Sequence, residues 1–226
     1  PLRGNTMKKL FSVAAESMAN TTTFQEEHEI TIYGKISDIE GLKENDGVEQ
    51  HIDYIAFFEK KGCKARVRVL TIGETKVNQF TLKMKSSDEL HGAIASSSEY
   101  TIEVDDDFVE AFKLIADKPL VKTRYKFNSK AIPITYTVNG ENKIIVAESV
   151  IYEVDIFEGV DDACKIDIEL DSIINAISSD ELKDKKVSIA AKVSHLPFKP
   201  VDVFLDNGED DTKTKIEEFW SKVKNK

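Results

Sequence analysis

The chain has 226 residues, 41% hydrophobic and 32% charged, a balance that excludes a disordered chain and leaves enough apolar material for a real core. A net charge of -10 and a pI near 5.0 exclude broad non-specific nucleic-acid binding, which needs a basic footprint. No apolar run approaches the roughly 20 residues of a membrane-spanning helix. The two cysteines, Cys63 and Cys164, lack any CxxC or Cys/His zinc spacing and read as reduced thiols of a cytoplasmic protein.

Taken in chain order, the first 23 residues are an N-terminal extension. MKKLFSVAA, from Met7, has two lysines and a short apolar stretch, but Glu16 interrupts it too early for a signal peptide. A short amphipathic helix suits it better, and the six residues ahead of Met7 read as an appended leader. Strands are then expected over about 26–37, 51–59, 64–71, 78–85, 98–105, 120–128, 132–138, 143–157, 164–171 and 187–194. Asn45-Asp46-Gly47, Lys61-Gly62 and Asn139-Gly140 supply turns between them, the last suited to a tight hairpin. Helices are few. DDFVEAFKLIADKP, 106–119, opens on acids and stops before Pro119. DSIINAISSDEL follows a Ser172 cap with Ile173, Ile174 and Ile177. TKIEEFWSKVKNK, 214–226, puts Ile216, Phe219, Trp220 and Val223 on one stripe, the signature of a helix docked on a larger body. The acidic loop from Asp206 to Asp211 lacks EF-hand spacing and is expected to be solvated. The whole reads as an α+β protein: an eight-stranded antiparallel barrel over 24–205 with a few covering helices, then the loop and helix of 206–226. Closure removes sheet edges.

Strand side chains alternate between faces, and here the charges segregate by strand. Glu27 and Glu29 share a face against Ile30 and Ile32. Arg66 and Arg68 oppose Val67 and Val69. Lys83 and Lys85 oppose Phe80, Leu82 and Met84. Glu99, Thr101 and Glu103 oppose Tyr100, Ile102 and Val104. Lys122, Arg124 and Lys126 oppose Val121, Tyr125 and Phe127. Glu153 and Asp155 oppose Tyr152, Val154 and Ile156. Lys165, Asp167 and Glu169 oppose Ile166, Ile168 and Leu170. One such strand is ordinary, since antiparallel sheets commonly leave one face in water. The set is not: solvated faces intersperse signs, which lowers repulsion. Arginine and lysine pairs match phosphate oxygens, and carboxylate pairs match Mg²⁺ or Mn²⁺. A polyphosphate bridged by divalent ions would fit between a basic and an acidic wall.

In order, these motifs resemble the CYTH superfamily, the triphosphate tunnel metalloenzymes. The likeness covers roughly residues 24 to 200. Glu27-His28-Glu29 matches the acids of the family's opening Glu-x-Glu-x-Lys strand; Arg66-Val67-Arg68 its arginine strand; Lys83 its tunnel lysine; and Lys122-Thr123-Arg124 its later basic strand. Tyr152-Glu153-Val154-Asp155-Ile156-Phe157 with Gly159 resembles the family's most recognisable strand, and Asp167-Ile168-Glu169 its last acidic one. The resemblance implies an eight-stranded tunnel barrel and metal-dependent hydrolysis of a triphosphate, whether inorganic, nucleoside, thiamine or RNA 5′-triphosphate. Arg66, Arg68, Lys83, Lys85, Lys122 and Arg124 would hold the phosphates. Glu27, Glu29, Asp167 and Glu169 would hold Mg²⁺ or Mn²⁺. Glu153 and Asp155 would orient a second metal or the attacking water, and Glu99 and Glu103 would set the acidic wall. The implied partner is a triphosphate-containing small molecule or nucleotide, with neither long nucleic acid nor membrane. A class IV-type adenylate cyclase and a non-catalytic triphosphate-binding protein are the alternatives.

Two positions depart from the family pattern. Thr31 stands where it has lysine; Lys35 shares the parity of Thr31 beyond a bend at Gly34. Thr101 stands between two acids where a third is frequent. HLPFKP, 195–200, occupies the place of a short tunnel-side element, to which Lys199 would add a charge. The four histidines are expected to have local roles.

Overall fold

The computed structural model describes residues 23–39, 42, 47–58, 63–85, 94–128, 132–138, 141–147, 151–169, 187–190 and 211–224. All of the N-terminal extension but Thr23, the expected helix after Ser172, most of the acidic loop, and the 195–200 stretch with Lys199 lie outside these residues.

Strand β1 (Thr23–Gly34) leads into a 3₁₀ turn, Ile36–Asp38. Strands β2 (Val48–Phe58), β3 (Cys63–Ile72), β4 (Thr75–Lys85) and β5 (Ile94–Glu103) follow. Helix α1 (Asp106–Lys113) leads into β6 (Leu120–Asn128). Then come β7 (Ile132–Val138), β8 (Glu141–Ala147), β9 (Ile151–Phe157), β10 (Cys164–Glu169), β11 (Val187–Ala190) and helix α2 (Asp211–Lys224).

Eight strands close in the order β1-β10-β9-β6-β2-β3-β4-β5. Closure comes from β1, whose first part pairs with β5 (Glu27 opposite Ser97) and whose last part pairs with β10 (Thr31 opposite Asp167). Every ladder is antiparallel and no barrel strand keeps an open edge.

The apolar face of these strands is the outside of the barrel. Ala56, Ala65, Val67, Phe80 and Ile102 point outward and pack under α1, which buries Phe108, Val109 and Phe112. Phe80 meets Phe108 and Phe112 edge-on at 5.4 and 6.0 Å. Each buried phenylalanine contributes about 1.5–3 kcal/mol. The Asp105 side chain caps α1 by accepting from the Phe108 N–H at 2.8 Å, and Asp106 and Asp107 favour its positive end. The helix is shorter than its apolar pattern implies. It ends at Lys113 in a turn whose Ala116 N–H still reaches the Phe112 carbonyl at 3.1 Å, while the next amide, Asp117, leaves the helical register for the Ile55 carbonyl of β2 at 2.9 Å.

The C-terminal helix starts three residues earlier than expected, at Asp211, so the last acid of the loop belongs to its first turn, where a negative charge suits the helix dipole. It plugs one end of the barrel. Leu120 begins β6 and Phe157 ends β9, so in paired antiparallel strands they mark the same end; Ile216, Phe219 and Trp220 pack against them.

The strand expected over 143–157 is two strands. β8 pairs with β7 in a separate three-stranded sheet, β11-β7-β8, while β9 belongs to the barrel. Both halves have high β-propensity with no proline or glycine between them, so periodicity carries no sign of the change of partner.

Candidate active site

Because the apolar face packs outward, the charged parity of each barrel strand faces inward. Strand alternation thus builds a cavity of about 490 Å³, within the range of small-molecule sites. Its described lining includes eight cationic side chains (Lys64, Arg66, Arg68, Lys83, Lys122, Arg124, Lys126, Lys165) and eight carboxylates (Glu27, Glu29, Asp53, Glu99, Glu153, Asp155, Asp167, Glu169). Leu120, Phe157 and Trp220 form its apolar floor at the α2 end.

Most of the charges are paired across strands. Arg68 of β3 grips Asp53 of β2 through two parallel bonds, Nε to Oδ1 at 2.7 Å and Nη2 to Oδ2 at 2.9 Å. Arg124 of β6 makes the same fork to Asp155 of β9, at 2.7 and 2.8 Å, and also reaches Glu153. Lys122 donates to the same Asp155. Lys126 contacts Glu49 at 2.9 Å and Glu153 at 3.5 Å. Lys83 sits 2.7 Å from Glu27, 2.9 Å from Glu99 and 3.9 Å from Glu29. Asp167 accepts from Lys165 at 2.6 Å and from the Thr31 hydroxyl at 2.7 Å.

Packing so many charges together moves their proton affinities. Burial works against ionised Asp155, but Lys122 and Arg124 overcome it and hold this carboxyl well below the usual range. Burial pushes the Lys122 amine down to about 7, with Arg124 and Arg68 adding and Asp155 opposing. For Glu27 burial prevails over Lys83, and its pKa is raised. For Glu99 burial is outweighed by Lys83 and Arg66, and its pKa is lowered.

Of the residues expected in the site, Glu27, Glu29, Arg66, Arg68, Lys83, Glu99, Lys122, Arg124, Glu153, Asp155, Asp167 and Glu169 line one cavity. Glu103 does not: it is exposed at the last position of β5, outside the lining. β4 extends to Lys85, whose side chain lies outside the described ones. Lys35, beyond Gly34, is exposed rather than turned inward. A lysine does stand near Thr31, but it comes from the next strand: Lys165 and Thr31 meet on Asp167.

The inner face of β2 adds residues beyond those expected from the one-sign strands. There Glu49, His51 and Asp53 share a parity, and His51 is fully buried with Nε2–H donating to Glu49 at 2.8 Å. The alternation was visible in EQHIDYIAF, but a histidine among acids does not show the one-sign pairing that marked the other strands. Lys64 shares the Arg66 and Arg68 face and also lines the cavity.

Among the described residues no three His, Cys, Asp or Glu side chains form a ready-made metal cage. The carboxylate oxygens of Glu27, Glu29, Asp167 and Glu169 are nevertheless the hard donors that Mg²⁺ and Mn²⁺ prefer, and Glu29 stands opposite Glu169 in the β1–β10 ladder. Mg²⁺ is commonly held by one or two carboxylates plus substrate phosphates rather than by a full protein cage. The residues present fit that mode.

The chain is similar to a solved inorganic triphosphatase. That protein, NE1496, shares 13% identity over 87% of this chain and 95% of its own, with a TM-score of 0.31. A second structure of NE1496, described as a hypothetical protein, gives 14% identity, coverage of 87% and 98%, and a TM-score of 0.31. PH1819 from Pyrococcus horikoshii OT3 shows 21% identity over 71% of this chain and 91% of its own, with a TM-score of 0.39. No family model and no curated protein matches the chain. At these TM-scores the likenesses carry no argument about chemistry, which rests on the tunnel itself.

Proposed function

We propose that the tunnel binds a triphosphate together with Mg²⁺ or Mn²⁺ and hydrolyses one of its phosphoanhydride bonds, as the CYTH-like order of its motifs implies. The observation that carries this reading is the interior of the barrel: eight cations and eight carboxylates facing one another across a single cavity. Burying so many charges is unfavourable for stability alone. With a near-neutral lining, a polyphosphate anion enters at lower electrostatic cost as its divalent metal complex.

Arg66, Arg68, Lys83, Lys122 and Arg124 bind the phosphates. Arg68 and Arg124 are fixed in advance by Asp53 and Asp155, so little side-chain freedom is lost on binding. Asp155 and Glu153 thereby act as positioning residues for Lys122 and Arg124. Glu27, Glu29, Asp167 and Glu169 hold the divalent ion, which supplies neutralisation of phosphate charge and activation of water. Asp53, Glu99, Asp155 and Asp167 are each held by a cation of the lining, so water rather than a side chain is the nucleophile in this reading. Phosphoryl transfer asks mainly for positioning and charge neutralisation, which this wall of cations offers.

The test is phosphate release from inorganic triphosphate, ATP, thiamine triphosphate and 5′-triphosphorylated RNA, with Mg²⁺ or Mn²⁺ and with EDTA. Metal-dependent release is expected, and the best substrate defines the subclass. Cyclic AMP and pyrophosphate from ATP would replace this reading with a cyclase. Binding without turnover would replace it with a binding protein, and no binding would overturn it.

A further inference from the structure

The tunnel's cations are not equivalent. Arg68, Lys83, Lys122, Arg124, Lys126 and Lys165 each meet a carboxylate. Lys64 and Arg66 meet none among the described residues. Among the described residues Arg66 has one hydrogen bond, from Nη2 to the Thr81 hydroxyl at 3.3 Å, and its buried Nε has no partner. Lys64 is two residues away on the same face of β3 and lies directly opposite Lys83 of β4. Like charges directly opposite repel, and Lys83 is already engaged by Glu27 and Glu99. This corner therefore holds unneutralised positive charge in a partly desolvated wall, a costly state that an anion discharges.

We propose that Lys64 and Arg66 together form the landing site for the end phosphoryl group of the polyphosphate, with Lys64 a substrate-contacting residue. This rests on the triphosphate reading above and adds to it where the anion is first held. Protonation supports the placement. Burial, then Lys83 and Arg66 nearby, push the Lys64 amine down to about 8; Lys165 of β10 adds to this and Glu99 of β5 opposes it. An anion seated on Lys64 stabilises its charged form, so binding near pH 8 takes up a fraction of a proton.

The experiment is calorimetric titration of the full chain with inorganic tripolyphosphate in EDTA at pH 8, in two buffers of different ionisation enthalpy, with circular dichroism confirming the fold of each variant. The wild type is expected to bind with proton uptake. Lys64→Met weakens binding at least tenfold. Lys64→Arg keeps affinity within about threefold but lowers the proton uptake, because guanidinium does not titrate there while the Lys122 amine, held at about 7, still does. With Mg²⁺ present, Lys64→Met raises KM more than it lowers kcat. Wild-type affinity and wild-type proton uptake in both variants would overturn the role of Lys64 and leave the proposed hydrolysis standing. No binding of tripolyphosphate by the wild type, with or without Mg²⁺, would overturn both.

Discussion

Glu29 of β1 stands directly opposite Glu169 of β10, and both side chains line the tunnel. Like charges in that position destabilise a sheet, so stability alone does not favour the pairing, whereas a divalent cation between the strands would relieve it. Glu29→Gln and Glu169→Gln are expected to lower metal-dependent turnover at least 100-fold while the melting temperature holds or rises. Phosphate-release kinetics and a thermal melt on each variant decide it. Wild-type turnover in both would remove these carboxylates from the metal site.

Asp53 and Arg68 present the opposite case, a buried, doubly bonded pair. Asp53→Ala leaves the guanidinium buried without its partner, at a cost of about 3–5 kcal/mol. For a chain of this size that lowers the melting temperature by roughly 10 °C. Turnover falls as well, since Arg68 loses its orientation. A melt within a degree or two of wild type would show that Arg68 finds another partner.

His51 predicts how the barrel responds to acid. Burial first, and then the nearby Arg68, Lys122 and Arg124, take its pKa down to about 4 despite the bond to Glu49. The unfolded chain, with an ordinary histidine, binds the proton from about pH 6.5 downward, while the folded chain resists until about pH 4. More protons on the unfolded state mean stability falls as pH drops through that window, on the order of 3 kcal/mol in all. Glu49 extends the loss. Burial opposes its ionisation, but bonds from His51 and Lys126 bring it down to about 2, so its contribution is present above the ordinary carboxylate range and lost below it. Melting temperatures of wild type and His51→Gln between pH 7 and 4 test this: the wild-type curve should fall more steeply over that range. Parallel curves would assign the acid sensitivity elsewhere.

Trp220 is the chain's single tryptophan and forms part of the tunnel floor, edge-on to Phe157 at 6.1 Å. Its fluorescence therefore reports tunnel occupancy without a label. Tripolyphosphate in EDTA at pH 8 is expected to shift or quench the emission with a saturable dependence matching the calorimetric Kd. Trp220→Phe loses the signal and keeps binding. An unchanged spectrum at saturating ligand would place the anion away from the α2 end.

The sequence alone determined the inner face of most barrel strands, because a strand's period of two survives any tertiary arrangement. Arg66 with Arg68, Lys122 with Arg124, Glu153 with Asp155 and Asp167 with Glu169 could all be read from parity and sign, and the family order of these motifs implied the closed barrel. Only the tertiary structure decided which charge meets which. Whether Asp155 faces water or holds Lys122 and Arg124 depends on the β6–β9 register, and that Lys165 rather than Lys35 stands beside Thr31 depends on the β1–β10 register. Neither alignment is encoded locally, since it is set by closure of the whole barrel. The same holds at strand ends. Glu103 shares the parity of Glu99 but lies at the end of β5 in solvent, because parity gives a side chain's direction while position along the barrel gives its environment. The break between β8 and β9 was hidden for a related reason: pairing between strands far apart in sequence leaves no periodic trace within either one, whereas β2 shows its alternation but mixes a histidine with its acids.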